Sequence, residues 1–397
     1  MPQALQHDLA LKSGRNTAAR QDFVSSLRGF ILNDLAGGMK TRYTEEIAPK
    51  AKKELGHLPK TGPEVHNAIA SDLYFKFYSS MRYNAQEMVW RSVIHPMNED
   101  LESLNIKAEK YGKKANEIGG SLDLDPDLTL PKNATAIDVH LAPGGYTKEN
   151  IANDCAAGAL YDNGLNVFSF GMMGANLDDI GESMANYIRV KYPEIKPKAI
   201  LDFGCTIGHN TLAWKSTFPD AEVTGIDVAA PCLRYAHARA GAQNKAVHFK
   251  QMNATKLDFE DNSFDIVFSS MFLHELPLKD IKTALKEAHR VLKPGGLMLH
   301  MELPANKDLD PYDGFYLDWD AYYNNEPYYK KFRDQDYDVL CTEAGFDKDN
   351  LISFITPQYT YMSDADYVES VKNPSAFGEN TGRLASGIEW FAFGAQK

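Results

Sequence analysis

The chain has 397 residues, of which 44% are hydrophobic, 24% charged and 11% aromatic. This composition is sufficient for a packed core and excludes wholesale disorder. With 42 basic and 54 acidic residues the formal net charge is −12, which disfavours nucleic-acid binding as the main task. No apolar run of about 18 or more residues occurs, so no membrane span is expected.

The cysteines and the first residues bear on the cellular compartment. Cys155, Cys205, Cys232 and Cys341 are scattered, and without a C-x-x-C pair neither a metal site nor a disulfide framework is expected. Residues 1–12 lack a basic segment followed by an apolar stretch, so no signal peptide is recognised. The default expectation is a cytoplasmic protein.

The first part of the chain predicts mainly helices. One apolar stripe at helical spacing consists of Phe23, Leu27, Phe30, Ile31 and Leu35. Residues 119–134 are rich in Gly, Pro and Asp and predict a loop, and the many glycines of 136–175 favour turns and close backbone approaches. We therefore expect a mainly helical N-terminal domain over residues 1–190, which resembles no family that we can name.

The pattern changes from Pro197 onward, where short apolar strands alternate with helices. The expected strands are 199–203, 222–226, 247–251, 264–269 and 297–301, and the helices among them are 210–217, 231–240 and 278–292. This alternation predicts a doubly wound α/β sheet. Ligands of such sheets lie outside the carboxyl ends of the strands.

Three consecutive strand ends carry residues suited to a nucleoside. The first runs into a turn with Gly204 and Gly208, which lets the backbone approach a ligand closely. Asp227 ends the second strand, 19 residues after Gly208, where a carboxylate can accept from both ribose hydroxyls. Asn253 ends the third and can pair with an adenine edge. The alternatives are a helix N-cap for Asp227 and an Asx-turn for Asn253.

These motifs resemble the class I S-adenosylmethionine-dependent methyltransferases, in the small-molecule branch that includes quinone-biosynthesis enzymes. The segments that carry the resemblance are ILDFGCTIG at 200–208, VTGID at 223–227, QMNA at 251–254, DNSFDIV at 261–267 and RVLKPGG at 290–296. It implies a methyltransferase domain over 191–397 with a Rossmann-like sheet of seven strands, the last antiparallel, and helices on both faces. The implied activity is in-line transfer of a methyl group from S-adenosylmethionine to a small-molecule acceptor atom, O, N, S or C.

The resemblance also implies the residues that contact the cofactor. Position by position they are Asp202, Phe203, Gly204, Cys205, Thr206, Gly208, Asp227, Val228, Asn253, Ala254, Ser270 and Met271. Two of them depart from the family pattern. Thr206 stands where the middle glycine is usual, and Asn253 stands where aspartate is commoner.

Two further side chains follow the next strand ends and are candidate catalytic residues. His274 follows the fourth strand and Glu302 ends the fifth. His274 would be a general base or would orient the acceptor, which needs a base if it is a hydroxyl or a carbon acid. The alternative for His274 is a capping or packing residue, and for His300 in the fifth strand a core position is favoured.

An aromatic insertion at about 304–337 would cover the acceptor. Tyr316, Trp319, Tyr322 and Tyr323 are its candidate substrate contacts, interleaved with acidic residues that suit a cation or a flat ring. An amphipathic packing face or a dimer contact is the alternative. The N-terminal helices would close the other side of the pocket or form a homodimer.

Three rival functions remain open at this point. A fold relative could use the same cofactor for chemistry other than methylation, and a catalytically silent chain could bind the cofactor as the partner of an enzyme. A nicotinamide-dependent dehydrogenase is disfavoured because the glycines do not follow the G-x-G-x-x-G pattern.

Overall fold

The computed structural model describes residues 5–375, 381 and 388–397. Its helices are α1 Arg15–Phe30, α2 Ala36–Arg42, α3 Ala48–Leu55, α4 Gly62–Ile69, α5 Leu73–Glu117, α6 Lys132–Thr135, α7 Ala156–Phe168, α8 Asp179–Lys191, α9 His209–Thr217, α10 Ala230–Ala242, α11 Leu278–Val291, α12 Pro311–Tyr323, α13 Tyr329–Arg333, α14 Tyr337–Ala344 and α15 Asp364–Lys372. Its strands are β1 Ser121–Asp123, β2 Ala199–Phe203, β3 Glu222–Asp227, β4 His248–Gln251, β5 Phe264–Ser270, β6 Leu292–Glu302, β7 Leu351–Pro357 and β8 Glu389–Gln396. Within the described ranges, no helix combines the length and apolarity needed to cross a bilayer.

The strands form one sheet in the order β1-β4-β3-β2-β5-β6-β8-β7. Pairing is parallel from β1 to β6, and β8 lies antiparallel to both β6 and β7. The described residues form eight strands in place of the expected seven, because β1 comes from the predicted loop and pairs Ser121 with His248. Gly120 permits this pairing, since a Cβ there would lie 2.8 Å from the carbonyl oxygen of Val247.

Helices cover both faces of the sheet, as expected for an α/β fold. One core cluster packs α11, α14 and the aromatic insertion against one face, and a second packs α8, α9, α10 and α15 against the other. The expected strands agree with the observed ones to within one residue at each end, and β2 Ala199–Phe203 agrees at both ends, except that β6 already begins at Leu292. The α/β class with a mainly helical N-terminal region is therefore confirmed.

The N-terminal region packs directly on the sheet layer through the 45-residue helix α5. A Cβ on Gly241 of α10 would overlap the carbonyl group of Tyr111 on α5, so the two helices cross in backbone contact. Gly158 and Gly164 lie in α7, a helix that the glycine content concealed. Added Cβ atoms there would overlap Tyr235 and Trp90, so these glycines mark the expected close approaches.

The buried face of α1 differs from the predicted stripe. Val24, Arg28 and Ile31 are at most 1% exposed, whereas Phe23 and Phe30 are 58% and 49% exposed. Ile31 belongs to the predicted stripe, and Leu27 and Leu35 pack partly buried against the same core, so the buried face is shifted toward Val24 and Arg28 and leaves Phe23 and Phe30 outside it. All four cysteines are unpaired and buried.

Candidate active site

A cavity of about 700 Å³ opens at the carboxyl ends of the central strands. Its floor consists of the loops after β2, β3, β4 and β5, and the N-terminal region and the aromatic insertion supply its walls and roof. The predicted cofactor residues that line it are Asp202, Gly204, Cys205, Thr206, Asp227, Val228, Asn253, Ala254, Ser270 and Met271. Phe203 and Gly208 do not line it, and Phe203 is fully buried beneath the loop.

The glycine turn after β2 adopts left-handed backbone conformations at three positions. The φ angles are 64° at Gly204, 49° at Thr206 and 69° at Gly208. A Cβ on Gly204 would overlap the ring of Phe272, and one on Gly208 would lie 2.7 Å from the ring of Phe249. The threonine that replaces the middle glycine is therefore a non-glycine residue held at positive φ, an uncommon conformation.

The carboxylate of Asp227 holds this turn in place. Its Oδ2 accepts from the backbone N–H of Thr206 at 2.9 Å, and its Oδ1 accepts from that of Ala229 at 2.9 Å. Burial raises the pKa of Asp227, although the backbone donors oppose this effect. The neighbouring Asp202 accepts from Thr211 Oγ1 at 2.6 Å, and burial raises its pKa to about 7.

The amide of Asn253 forms the Asx-turn considered in the sequence analysis. Its Oδ1 accepts from both the backbone N–H and the hydroxyl of Thr255, each at 2.9 Å. Both lone pairs of the oxygen are used in this way. The Nδ2 group is therefore the part of this side chain that remains to meet a ligand.

His274 and Glu302 form a buried pair against the cavity. His274 Nδ1 lies 2.6 Å from Glu302 Oε2, and Glu302 Oε1 accepts from the backbone N–H groups of Phe272 and Leu273 at 3.0 and 2.7 Å. Burial alone would lower the pKa of His274, but the carboxylate of Glu302 outweighs it and the pKa is raised. The imidazole also stacks on the ring of Tyr329 at 3.9 Å. His274 lines the cavity, whereas Glu302 lies behind it.

A second histidine, which the sequence analysis missed, extends this cluster. His140 Nε2 lies 3.3 Å from Glu275 Oε1, and its Nδ1 lies 2.7 Å from Glu326 Oε1. Burial lowers the pKa of His140, but Glu326 and Glu275 together raise it to about 10, so the imidazole is charged at neutral pH. Glu275 Oε1 is also 3.9 Å from His274 Nε2, which connects the two histidines. The left-handed backbone at His140, with φ 57°, has no signal in the sequence.

Of the four predicted substrate contacts, the structure places one in the cavity and three outside it. Tyr316 lines the cavity, and its hydroxyl accepts a hydrogen bond from Tyr78 at 3.1 Å. Trp319, Tyr322 and Tyr323 do not line it. Trp319 packs on Phe75, its Nε1 donates to Ser79 Oγ at 2.9 Å, and Tyr322 is 70% exposed. The structure thus places Trp319 and Tyr323 at the contact between α12 and α5, where Tyr323 packs on Tyr83, and Tyr322 at the surface.

The comparisons with known proteins fall on the part of the chain that builds the cavity floor. Residues 200–296 match a family described as "Methyltransferase domain". The chain is 38% identical over 111 residues to a demethylmenaquinone methyltransferase of Thermus thermophilus, covering 28% of this chain and 50% of that protein. It is 41% identical over 105 residues to a demethylmenaquinone methyltransferase of Staphylococcus aureus, covering 26% and 42%. It is 31% identical over 121 residues to a malonyl-[acyl-carrier protein] O-methyltransferase of Pseudescherichia vulneris, covering 30% and 45%.

Among solved structures, a SAM-dependent methyltransferase from Aquifex aeolicus is 16% identical, with 55% of this chain and 94% of that chain covered and a TM-score of 0.34. A likeness this weak adds nothing to the sequence match. The chain spans about half the length or less of the curated relatives above. Residues 200–296 are a methyltransferase domain. The expected class, the class I S-adenosylmethionine-dependent methyltransferases, is confirmed for this part of the chain.

Proposed function

We propose that the chain transfers a methyl group from S-adenosylmethionine to a small molecule bound in the 700 Å³ cavity. The observation that carries the proposal is the composition of its floor. Asp227 and Asn253 follow adjacent strands of a methyltransferase domain, and the His274–Glu302 pair lies at the ends of the next two. A nucleoside site and a proton-accepting site thus share one cavity.

The residues present fit the cofactor. Each carboxylate oxygen of Asp227 accepts one backbone N–H and keeps a further lone pair, so the ribose hydroxyls would bind without disturbing the turn. The Nδ2 group of Asn253 would donate a hydrogen bond to a ring nitrogen of adenine. The commoner aspartate can only accept a hydrogen bond at this position. The ring of Phe272 occupies the place that a side chain at Gly204 would take, and the positive φ angles at Gly204 and Thr206 shape the turn that would approach the methionine part.

S-adenosylmethionine, when bound, would supply an electrophilic methyl group. Glu302 Oε2 accepts a hydrogen bond from the Nδ1–H group of His274 and thereby fixes the tautomer in which Nε2 is the basic nitrogen. His274 would take the proton of the acceptor through Nε2, while Glu302 positions the imidazole. The N-terminal region and α12 enclose the acceptor and exclude water, which strengthens these electrostatic interactions.

Calorimetry with S-adenosylhomocysteine tests the nucleoside site. We expect binding to the wild-type chain and at least about ten-fold weaker binding to Asp227→Asn, because two charge-assisted hydrogen bonds are lost. Asp123→Asn is the matched control, since this carboxylate is exposed and does not line the cavity. Absence of heat with the wild-type chain would refute the proposal.

Release of S-adenosylhomocysteine from S-adenosylmethionine in the presence of a metabolite extract tests the transfer step. Release together with a methylated product is the expected result. Binding without release would favour a silent cofactor-binding chain, and release without a methylated product would favour other chemistry on the same cofactor.

The remaining expectations about partners stay predictions. The exposed side chains of Leu73, Phe77 and Tyr322 are the candidate contact of a homodimer. Light scattering coupled to size-exclusion chromatography would measure the molar mass and so test for this homodimer. The net charge of −12 continues to disfavour nucleic acid as a partner, and the cytoplasmic location is a prediction of the same kind.

A further inference from the structure

We propose that the methyl acceptor is an anion whose carboxylate or phosphate group binds to Arg28 of α1. This inference rests on the proposed function and names the class of substrate that the same cavity takes. Arg28 lies in the N-terminal region, outside the matched methyltransferase domain, and its side chain lines the cavity while being 1% exposed.

The contacts of Arg28 leave part of its guanidinium group unused. Its Nη1 donates to Gln86 Oε1 at 2.6 Å, its Nε donates to the carbonyl oxygen of Phe168 at 3.3 Å, and the group lies 4.1 Å above the Phe168 ring. The buried Nη2 has no hydrogen-bond partner. None of the described residues supplies an acidic partner within ion-pair distance of Arg28.

Three other buried arginines provide a comparison for the contacts of Arg28. Arg82, Arg239 and Arg333 are as buried as Arg28, and each forms an ion pair with an aspartate. Arg82 Nη2 lies 3.0 Å from Asp320 Oδ2, so that carboxylate is already used beside the cavity. Arg28 is the one of these four without such a partner in the described part of the chain.

A buried guanidinium group without an anion is unfavourable, and a ligand can remove that cost. Burial, followed by repulsion from Arg82, lowers the pKa of Arg28. Burying a charge is strongly unfavourable unless an opposite charge pairs with it. A planar carboxylate or a phosphate matches the unused donor of the guanidinium fork.

The surroundings of Arg28 describe the rest of the ligand. Gln86 Oε1 also accepts from Arg82, and Gln86 Nε2 donates to the carbonyl oxygen of His140 at 2.9 Å, so Arg28 lies on the wall that carries His140. Aromatic rings from Trp90, Tyr146, Tyr161, Phe168 and Tyr316 line the same cavity. A flat apolar body that ends in an oxyanion therefore fits the space between this wall and the cofactor residues.

Calorimetry with benzoate, phenyl phosphate and the neutral benzamide, each added to the protein with S-adenosylhomocysteine, tests the inference. The variants are Arg28→Gln and Arg28→Lys, and Arg91→Gln is the control because Arg91 is exposed and paired only with Glu87 on its own helix. We expect at least one of the two anions to bind the wild-type chain at least about ten-fold more tightly than benzamide. We expect a loss of about 10- to 100-fold in Arg28→Gln, no change in Arg91→Gln and an intermediate loss in Arg28→Lys.

Equal binding of the anions and benzamide to the wild-type chain would overturn the inference, as would undiminished anion binding by a folded Arg28→Gln variant. If that variant does not fold, the comparison of the anions with benzamide on the wild-type chain decides. The outcomes distinguish failure of this inference from failure of the proposed function. If S-adenosylhomocysteine does not bind, the proposed methyltransferase function is refuted. If it binds and the anions are not preferred over benzamide, only the proposed class of acceptor is refuted. Tighter binding of phenyl phosphate than of benzoate would assign the anion as a phosphate, and the reverse as a carboxylate.

Discussion

At the scale of single residues, the cavity combines groups whose protonation depends on their partners. His274 and His140 both lie beside carboxylates, and in both the carboxylates outweigh the effect of burial on the pKa. His300 has no such partner, and burial lowers its pKa to about 3 while Ser269 Oγ lies 2.7 Å from its Nδ1. The core position favoured for His300 agrees with this neutral, fully buried state.

The proposed role of His274 predicts a shifted pH dependence of turnover. A base works in its neutral form, so kcat/KM should fall as the pH drops through the raised pKa, above the ordinary value of 6.5. In Glu302→Gln the carboxylate that raises this pKa is gone, and the acid limb of the profile should move to lower pH. His274→Gln should lower kcat about 10²- to 10⁴-fold while S-adenosylhomocysteine binding persists. Unchanged turnover in this variant would exclude His274 as the base.

His140 predicts a pH dependence of stability. The left-handed backbone at this position tolerates asparagine, so His140→Asn removes the charge without backbone strain. The variant should lose about 3 kcal/mol at pH 7, because Glu275 and Glu326 are left without their shared cation. A folded pKa that is raised from 6.5 to about 10 stabilises the protein fully below pH 6.5, and this contribution is lost as the pH rises through about 10.

Urea unfolding of both proteins at pH 7 and above pH 10 measures this effect. The difference in unfolding free energy between wild type and His140→Asn should shrink at the higher pH. A difference that stays constant between the two would show that the imidazole contributes packing and no charge.

At the scale of elements, the N-terminal region and the sheet meet through helices in backbone contact. α5 and α10 approach so closely at Gly241 that no side chain fits against Tyr111. The same helix α5 carries Tyr78 and Ser79, which hydrogen-bond the aromatic residues of α12. The position of the cavity roof therefore depends on how α5 lies on α10.

Gly241→Ala should destabilise the protein by about 3 kcal/mol, since the added methyl group forces the two helices apart. Gly29→Ala is the matched control, because its Cβ would have no neighbour within 4 Å and Gly29 lies inside α1. That control should gain about 0.5–1 kcal/mol from the better helix propensity of alanine. Thermal unfolding of the two variants beside the wild type gives both values, and equal effects would contradict the proposed close contact.

At the scale of the whole molecule, the contacts of α5 and the edge strand β1 join the N-terminal region to the sheet. Residues 121–123 extend the sheet beside β4, and the cavity takes its walls from both halves of the chain. The division into two domains at residue 190 stays a prediction, and unfolding experiments can ask whether the two parts are energetically separate.

We expect the chain to unfold in one transition. Trp90 and Trp319 lie in the N-terminal and roof parts, and Trp214 and Trp390 lie in the core of the sheet layer. Fluorescence and far-ultraviolet circular dichroism should therefore report the same midpoint, and S-adenosylhomocysteine should shift both equally. Two separated transitions would support independent domains instead.

The sequence predicted what is local and missed what is assembled from distant segments. Strands with glycine turns and terminal carboxylates have local signals, so β2 and the residues around Asp227 were located within a few positions. Which part of the Asn253 amide is left for a ligand became clear only from its contact with Thr255. Which aromatic residues of the insertion line the cavity became clear only from the face of α12 that packs on α5.

Arg28 and His140 illustrate the limit most clearly. Arg28 stands between Val24 and Ile31 at helical spacing, which indicates that all three lie on one buried face. A charged residue is not expected on such a face, so this spacing did not identify Arg28 as buried. His140 meets Glu275 and Glu326 across more than a hundred residues of chain, and its loop has no periodic pattern. The partners of Arg28 and His140 lie far away in the chain, and hydrophobic periodicity reports only on neighbouring residues.

The burial of every cysteine has a practical consequence for studying this protein. Burial raises the pKa of all four thiols, and alkylating reagents attack the thiolate form. The four thiols of the folded chain should therefore react very slowly with such reagents. A single cysteine introduced on the surface would then be labelled selectively with a fluorophore. Because Cys205 lines the cavity, a bound ligand should slow its labelling, and the labelling rate of this thiol would report ligand occupancy.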